Sequence, residues 1–231
     1  MERQVNTLLS HWSIEHRVEN GEFVLRRSKL RICLPPVNED IAYLLGFLCG
    51  DGCLAKPQPR RCGGFRFKVS ICFPGSEKGR TQARHICDIF KRWFNCVPVV
   101  LNKEREGRKD WLELEVNSAV VYAYFCLLGL PVGEKYGKLK VPPAVFTGPL
   151  FRKFLHGLID SDGYKAKDHR IFIVQKDGDF LDQVRKLCLM LLNVRFSVPK
   201  PNSKKVGDKI YTWYYIQTFK ADPWESGIYN T

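Results

Sequence analysis

The sequence predicts an α+β protein made of two similar halves. Two stretches point to duplication: residues 44–52, LLGFLCGDG, and residues 155–163, LHGLIDSDG. Each is an apolar helical run with small residues four apart (Gly46 and Gly50; Gly157 and Ser161) and stops at an Asp-Gly pair, Asp51-Gly52 or Asp162-Gly163. A second observation is the order of elements beyond each pair, which is strand, strand, helix, strand and strand in both halves. The third is the ending itself. The carboxyl end of a helix carries partial negative charge, so a carboxylate there is disfavoured unless a cation or proton compensates it. Two such endings on matching repeats imply paired carboxylates that serve a purpose.

Residues 1–37 have no counterpart in the other half, and residues 23–33 read as an extra basic hairpin. The first marked helix starts at Asn38, a good capping residue, with Glu39 and Asp40 in the favourable first turn. Gly52 and Gly163 fit the left-handed residue that ends a helix. After Gly52 comes a basic segment with Gly and Pro, 56–64, then a strand over 65–73 that is apolar at every odd position. A helix over 79–94 carries Ala83, Ile86, Cys87, Phe90 and Phe94 on one stripe. Residues 97–101 and 111–116 read as strands joined by the charged loop 102–110, and an apolar helix, 119–128, closes the half.

Residues 131–143 form the linker. Gly148 and Pro149 begin the second marked helix, since Pro is tolerated at a first helical position. Strands over 164–167 and 170–174, a helix over 180–192, and a hairpin of 194–198 with 210–219 around a basic tip, 200–209, complete the repeat. The tail 221–231 is too short to repeat the closing helix. The expected division is thus an extension (1–37), a first half (38–130), a linker (131–143) and a second half (144–231).

At 231 residues the chain can bury a sizeable core, as one large domain or two of about 100 residues each. No apolar run reaches the roughly 20 residues that span a bilayer, which argues against a membrane protein. The net charge of +13 favours polyanionic partners. Nine cysteines without a Cys-x-x-Cys spacing, five of them (Cys49, Cys72, Cys87, Cys126 and Cys188) inside apolar runs, read as small buried hydrophobes in a reducing compartment. The first residues lack a basic segment followed by an apolar one, so an intracellular location is expected.

If the two marked helices pack in parallel, as the small residues allow, Asp51 and Asp162 stand side by side. Close carboxylates repel unless neutralised, and hard oxygen ligands favour Mg²⁺ over zinc. Carboxylate-held Mg²⁺ inside a positive field is apparatus for phosphodiester hydrolysis. The bland alternative is that each Asp merely ends a turn, since Asp-Gly is a common turn pair.

Residues 155–163, and more loosely 44–52 with Cys49 where the family often has Asp, resemble the motif of the LAGLIDADG homing endonucleases in their two-motif monomeric form. The resemblance spans roughly residues 38 to 220. It implies the homing endonuclease fold: two pseudo-symmetric αββαββα-type halves, antiparallel DNA-binding sheets and a central two-helix interface. It further implies Asp51 and Asp162 as metal-binding catalytic acids, assisted by the backbone carbonyls of Gly50 and Ser161. Gln175 is similar to the family's solvent-orienting Gln, whereas its first-half equivalent is about Phe73, so unequal nicking of the two strands is expected. A basic residue precedes the second motif helix in such enzymes; Lys135, Lys138 and Lys140 are candidates, with Lys138 favoured, Lys140 close behind and Lys220 as a second-half partner. His156 and Cys49 lie within the motif helices and read as packed rather than catalytic.

For DNA contact, alternation places Arg66, Lys68 and Ser70 on one strand face, where upright polar side chains reach base edges. Arg60, Arg61, Lys103, Arg105, Arg108, Lys204 and Lys205 sit at loops or tips suited to phosphates, and Arg170 opens a second-half strand. Tyr211, Trp213 and Tyr215 form another alternating face, read as core. The expected activity is Mg²⁺-dependent cleavage of both strands of a long asymmetric duplex by a monomer, leaving short 3′ overhangs, as in the homing of an intron, with Ca²⁺ supporting binding but not cleavage. The expected location is wherever that DNA lies, cytoplasm or organelle nucleoid. The alternatives are an intron RNA maturase, with intron RNA as partner, or a non-cleaving nucleic-acid-binding protein on the same scaffold.

Overall fold

A computed structural model describes residues 1–26, 30–61, 63–104 and 110–219. In chain order the elements are α1 (Glu2–His11), β1 (His16–Glu19), β2 (Glu22–Leu25), β3 (Arg31–Ile32), α2 (Glu39–Gly50), β4 (Gly52–Leu54), β5 (Gln58–Pro59), β6 (Phe65–Arg66), β7 (Val69–Pro74), α3 (Glu77–Phe94), β8 (Val99–Lys103), β9 (Trp111–Val116) and α4 (Ala119–Leu127). Next come a 3₁₀ turn (Pro143–Val145), α5 (Gly148–Asp162), β10 (Gly163–Lys165), β11 (Ile171–Gln175), α6 (Gly178–Leu192), β12 (Lys200–Val206) and β13 (Lys209–Gln217). The α+β class holds, and no described helix is long and apolar enough to cross a membrane.

The chain divides into two compact units: Met1–Pro36 with Asp51–Glu134, and Val37–Gly50 with the chain from Lys135 onward. In the first, a four-stranded antiparallel sheet runs β4-β7-β9-β8. Val69, Ile71, Phe73, Leu112, Leu114 and Val116 are buried on one face of it, while Lys68, Cys72, Trp111 and Glu113 alternate onto the other. Ser76 caps α3 by accepting from the Gly79 amide (3.3 Å), and Asn95, at φ 52°, ends it. The apolar stripe of α3 is Ala83, Ile86, Ile89, Phe90 and Phe94, with Cys87 only half-buried. Apolar α4 is buried along almost its whole length, and Phe125 meets Phe90 and Phe94.

The extension is α1 and a three-stranded sheet, β1-β2-β3. Three of its described arginines are paired within it: Arg31 with Glu19 and Glu22, Arg17 with Glu19, and Arg26 with Glu15. Trp12 stacks on Phe67 and meets Tyr122 edge-on, tying the extension to the first unit's core.

The second unit repeats the plan. Its sheet runs β10-β11-β13-β12, antiparallel throughout, and α6 lies between the second and third strands in chain order, as α3 does. Asp177 caps α6 through the Phe180 amide (3.1 Å), and Asn193, at φ 56°, ends it. Left-handed Asn therefore closes both sheet-backing helices. The register repeats as well: Gly52 opposes Ile71, and Gly163 opposes Ile173.

Several expectations are corrected. The strand over 65–73 is broken: Phe65 and Arg66 pair with residues 58–59 and Phe65 is 50% exposed, so the buried alternation begins only at Phe67. Gly52 and Gly163 are not left-handed caps; both open strands, and Gly163 has φ −114°. A Cβ on Gly163 would lie 2.7 Å from the Ile159 carbonyl, so close backbone approach excludes a side chain there. Residues 200–206 are strand, and the hairpin turns at Gly207 and Asp208. Of the five cysteines in apolar runs, only Cys49 and Cys188 are fully buried; Cys72 is exposed. The tail 221–231 lies outside the described residues.

Candidate active site

Within the second unit α2 and α5 pack backbone to backbone. Asn38 starts α2 by accepting from the Ile41 amide (3.0 Å), and Pro149 sits in the first turn of α5. A Cβ on Gly46 would meet the Phe154 carbonyl and lie 2.9 Å from the Leu158 nitrogen; one on Gly157 would meet the Tyr43 carbonyl and lie 2.9 Å from the Phe47 nitrogen. Each glycine faces the residue three before and the residue one after its counterpart, a two-fold-like reciprocity. The strip of small residues continues to the carboxyl ends. A Cβ on Gly50 would touch the Ser161 hydroxyl and come within 2.9 Å of Asp162 Oδ2. Tyr43 adds a cross-helix bond, its hydroxyl donating to Asp160 Oδ2 at 2.9 Å. Burial and that carboxylate push the phenol far above its ordinary range, so it remains a donor.

Four groups converge where the two helices end. Asp162, the last residue of α5, accepts a short hydrogen bond from Gln175 Nε2, which also lies 3.5 Å from the Cys49 carbonyl. Lys135 places its ammonium on the open carbonyls that close α2, donating to Cys49 (2.9 Å), Leu48 (3.3 Å) and, by a short bond, Gly50. Those carbonyls have no partner within the helix and carry its negative pole, which explains why a cation settles there. Cys49 is fully buried. Burial, eased by Lys135 and reinforced by Asp162, pushes its thiol up to about 12, so it stays neutral and acts neither as nucleophile nor as thiolate ligand. His156 is mostly buried, and burial with the neighbouring Lys153 lowers its pKa, leaving it a neutral packed side chain.

Of the residues singled out in the sequence, Gly50, Asp162 and Gln175 come together. Of the linker lysines it is Lys135 that joins them, while Lys138 and Lys140 are exposed. Ser161 turns its hydroxyl back onto the Gly157 (3.1 Å) and Leu158 (3.0 Å) carbonyls of its own helix. Asp51 belongs to the first unit, where its carbonyl accepts from the Cys72 amide at 3.2 Å. Phe73 occupies the position of Gln175 in the first unit's register, two residues beyond the partner of the glycine, and is buried. Lys220 lies outside the described residues.

Among the described residues no three or more His, Cys, Asp or Glu converge on one point. The donors at the helix ends are instead the Asp162 carboxylate and backbone carbonyls. These are hard oxygens at a place where an ammonium already sits as a stand-in cation, a set that suits Mg²⁺ or Ca²⁺ and not zinc.

The candidate nucleic-acid contacts divide sharply. Arg60 and Arg61 are exposed beside the β5–β6 hairpin, and Lys204 and Lys205 project from β12. Arg66 and Lys68 are held by carboxylates: Lys68 Nζ bonds Glu115 (2.9 Å) and Glu113 (3.0 Å), and Arg66 bonds Glu115 (2.9 Å) and Asn117 (2.7 Å). Lys103 lies 3.8 Å from Glu113. Burial works against the charges of Lys68 and Glu115, but their mutual bond more than reverses it, raising the one pKa and lowering the other. Ser70 is 8% exposed, so it does not present an upright polar group. Arg170 is clamped by Asp168 (2.7 Å). Arg105 and Arg108 lie outside the described residues. Sequence reasoning overlooks Glu113 and Glu115, although their alternation in WLELEV places them opposite Cys72 and Ser70. Replacing Glu115 by Gln frees Arg66 from its carboxylate, while Glu113 still holds Lys68. Affinity for random-sequence duplex is expected to rise, with the slope of log affinity against log salt steepening by about 1; a salt titration of both proteins checks this.

Residues 150–219 match the family model described as a LAGLIDADG-like domain. No curated protein matches. Among solved structures, the chain is similar to I-DmoI in complex with DNA and Mn (TM-score 0.54, 21% identity, covering 79% of this chain and 90% of that one). It is similar also to I-DmoI in complex with DNA and Ca (0.56, 21%, 80% and 84%) and to the homing endonuclease I-WcaI bound to its DNA recognition sequence (0.50, 13%, 80% and 77%). At such identities the shared property is the fold.

Proposed function

We propose that this chain, which carries a LAGLIDADG-like domain on the fold of I-DmoI, is a sequence-specific endonuclease hydrolysing both strands of a long, asymmetric DNA duplex with Mg²⁺. The observation that carries the reading is the convergence of Asp162, Gln175, Lys135 and the Gly50 carbonyl where two closely packed motif helices end. The net charge of +13 supports a polyanionic substrate, and the matched structures hold DNA with Mn or Ca.

In this reading Asp162 and Asp51 would hold the metal, assisted by the Gly50 and Ser161 carbonyls. When bound, it would supply charge neutralisation at a phosphodiester and an activated water. The protein's own groups do the positioning. Gln175 fixes one Asp162 oxygen through its amide N–H. Lys135, anchored on the α2 carbonyls, keeps an ammonium where negative charge develops on the phosphate. Phe73 supplies no amide in the first unit, so the two strands are cut at unequal rates.

The test is selection of cleaved sequences from a randomised duplex library, followed by assay of the selected site with Mg²⁺ and with Ca²⁺. Double-strand cleavage with Mg²⁺ and binding alone with Ca²⁺ are expected. Intact DNA in every condition, with tight binding of a structured intron RNA, would replace the nuclease by a maturase. A companion measurement separates the lysines: Lys135→Met is expected to lower the single-turnover rate about 100-fold or more. Lys138→Met and Lys140→Met, on exposed positions, leave it within about threefold of the parent.

A further inference from the structure

The two four-stranded sheets carry opposite chemistries on the faces turned away from their helices. In the first unit that face holds Lys68, Cys72, Lys103, Glu113 and Glu115, cations interleaved with carboxylates. In the second unit none of the strands β10 to β13 contains an Asp or Glu, and the corresponding face holds Lys200, Lys204 and Lys209. Register puts Tyr164, Phe172, Tyr215, Trp213 and Tyr211 on one face: Tyr164 opposes Phe172, and β13 alternates from Tyr215 to Tyr211. Lys200 lies across from Tyr215, Asn202 from Trp213 and Lys204 from Tyr211. The sequence suggested core packing for the β13 aromatics, but Tyr211 is 50% exposed and Trp213 and Tyr215 are part-exposed.

The rings form a column rather than a core. Tyr164 and Phe172 are parallel to within 3° at 4.8 Å, Tyr215 lies 6.0 Å from Phe172, and the Arg170 guanidinium lies 5.4 Å from the Phe172 centroid. The column ends at the sheet edge on Tyr164, 53% exposed. A buried core has no use for a ring open to water at the end of an ordered stack, nor for lysines directly opposite its other rings. Aromatic faces with interleaved cations match a chain of π-faced bases on a phosphate backbone; these strands carry no carboxylate, and Asp168 beside the column is paired with Arg170.

We propose that this face binds unpaired nucleotides by base stacking, a single-strand site that does not depend on cleavage. Tyr164 and Tyr211 take bases at opposite ends of the platform, and Lys200 and Lys204 track the backbone. A duplex laid on the same sheet competes for it.

The test is fluorescence anisotropy of the full chain, in chelator, with labelled single-stranded DNA and RNA of about 20 nucleotides and with the duplex of the same sequence. Tyr164→Ala and Tyr211→Ala are each expected to weaken single-strand binding about tenfold, with the salt slope unchanged because no cation is lost. Tyr164→Phe keeps the parental affinity, since the ring and not the hydroxyl does the stacking. Both tyrosines are exposed, and an unchanged melting temperature verifies that the variants fold. Binding of DNA and RNA alike, or of one sugar selectively, supports the site. Alanine variants that bind single strands as the parent does, or that lose duplex and single strand by the same factor, overturn it. Because no metal is present, failure of the nuclease reading leaves this outcome untouched.

Discussion

An Asp162→Asn protein is expected to bind its duplex as tightly as the parent and to cleave it at least about 1,000-fold more slowly, since loss of a metal-holding carboxylate removes several kcal/mol of transition-state stabilisation. The substitution is nearly isosteric. Its amide oxygen still accepts from Gln175, whose side chain approaches Oδ2 in the parent, so the helix end keeps its shape and only the charge is lost. Single-turnover cleavage and Ca²⁺-supported binding, measured side by side, separate that loss from misfolding. A Gln175→Leu control sharpens the point. The carboxylate remains but loses the group that orients it, and a loss of about 10- to 100-fold is expected, as for other residues supporting a metal ligand. Because Phe73 already takes that register position in the first unit, the control should slow the nicking of one strand more than the other. If Asp162→Asn cleaves at the parental rate, the carboxylate has no part in the chemistry and the nuclease reading is lost.

What the sequence made legible and what it concealed divide along physical lines. The motif helices announced themselves through signals that are local. Small residues four apart permit only one kind of contact, and the backbone meets backbone at Gly46 and Gly157. The strand and helix order was equally plain, because period-2 and period-3.6 patterns are set by which face is buried. The errors lie where local pattern and tertiary demand part. Phe65 continues the alternation along the chain, yet its strand pairs with residues 58–59 instead of running on into β7, leaving the ring exposed. Gly52 and Gly163 have the sequence context of left-handed caps, but the chain passes straight from helix into strand, and the glycine is required by the nearness of the Ile159 carbonyl at residue 163. The lysines of residues 200–206 suggest a loop, although a strand on the open edge of a sheet can be charged on both faces. Lys135 could not be told from Lys138 or Lys140, since three cations in an irregular linker carry no periodicity. The bonds of Lys68 and Arg66 to Glu113 and Glu115 depend on a strand pairing more than 40 residues apart, which alternation along either strand alone does not specify.

The second large effect is one of packing. Gly157→Ala is expected to destabilise the protein severely, because the new methyl group would occupy the space of the Tyr43 carbonyl and crowd the Phe47 nitrogen of α2. Backbone cannot swing aside as a side chain can, so the helices must separate. Overpacking of this kind costs about 3 kcal/mol, against which the better helix propensity of Ala returns about 1 kcal/mol. For a chain of this size the net loss lowers the melting temperature by about 4–8 °C, which calorimetry reads directly. Gly46→Ala is expected to match it, since Gly46 makes the mirror contact on Phe154 and Leu158. The double variant then carries the decisive information: once one methyl has forced the helices apart, the second enters space already opened, and the two losses together fall short of their sum. Strict additivity would mean that the two glycines relieve separate contacts and not one shared approach of backbones. Where the fold survives at low temperature, the same separation draws Asp162 away from the Gly50 carbonyl and Lys135. Displacement of about 1 Å at reacting groups lowers rates by about 100-fold, so cleavage should fail at temperatures where both variants remain folded.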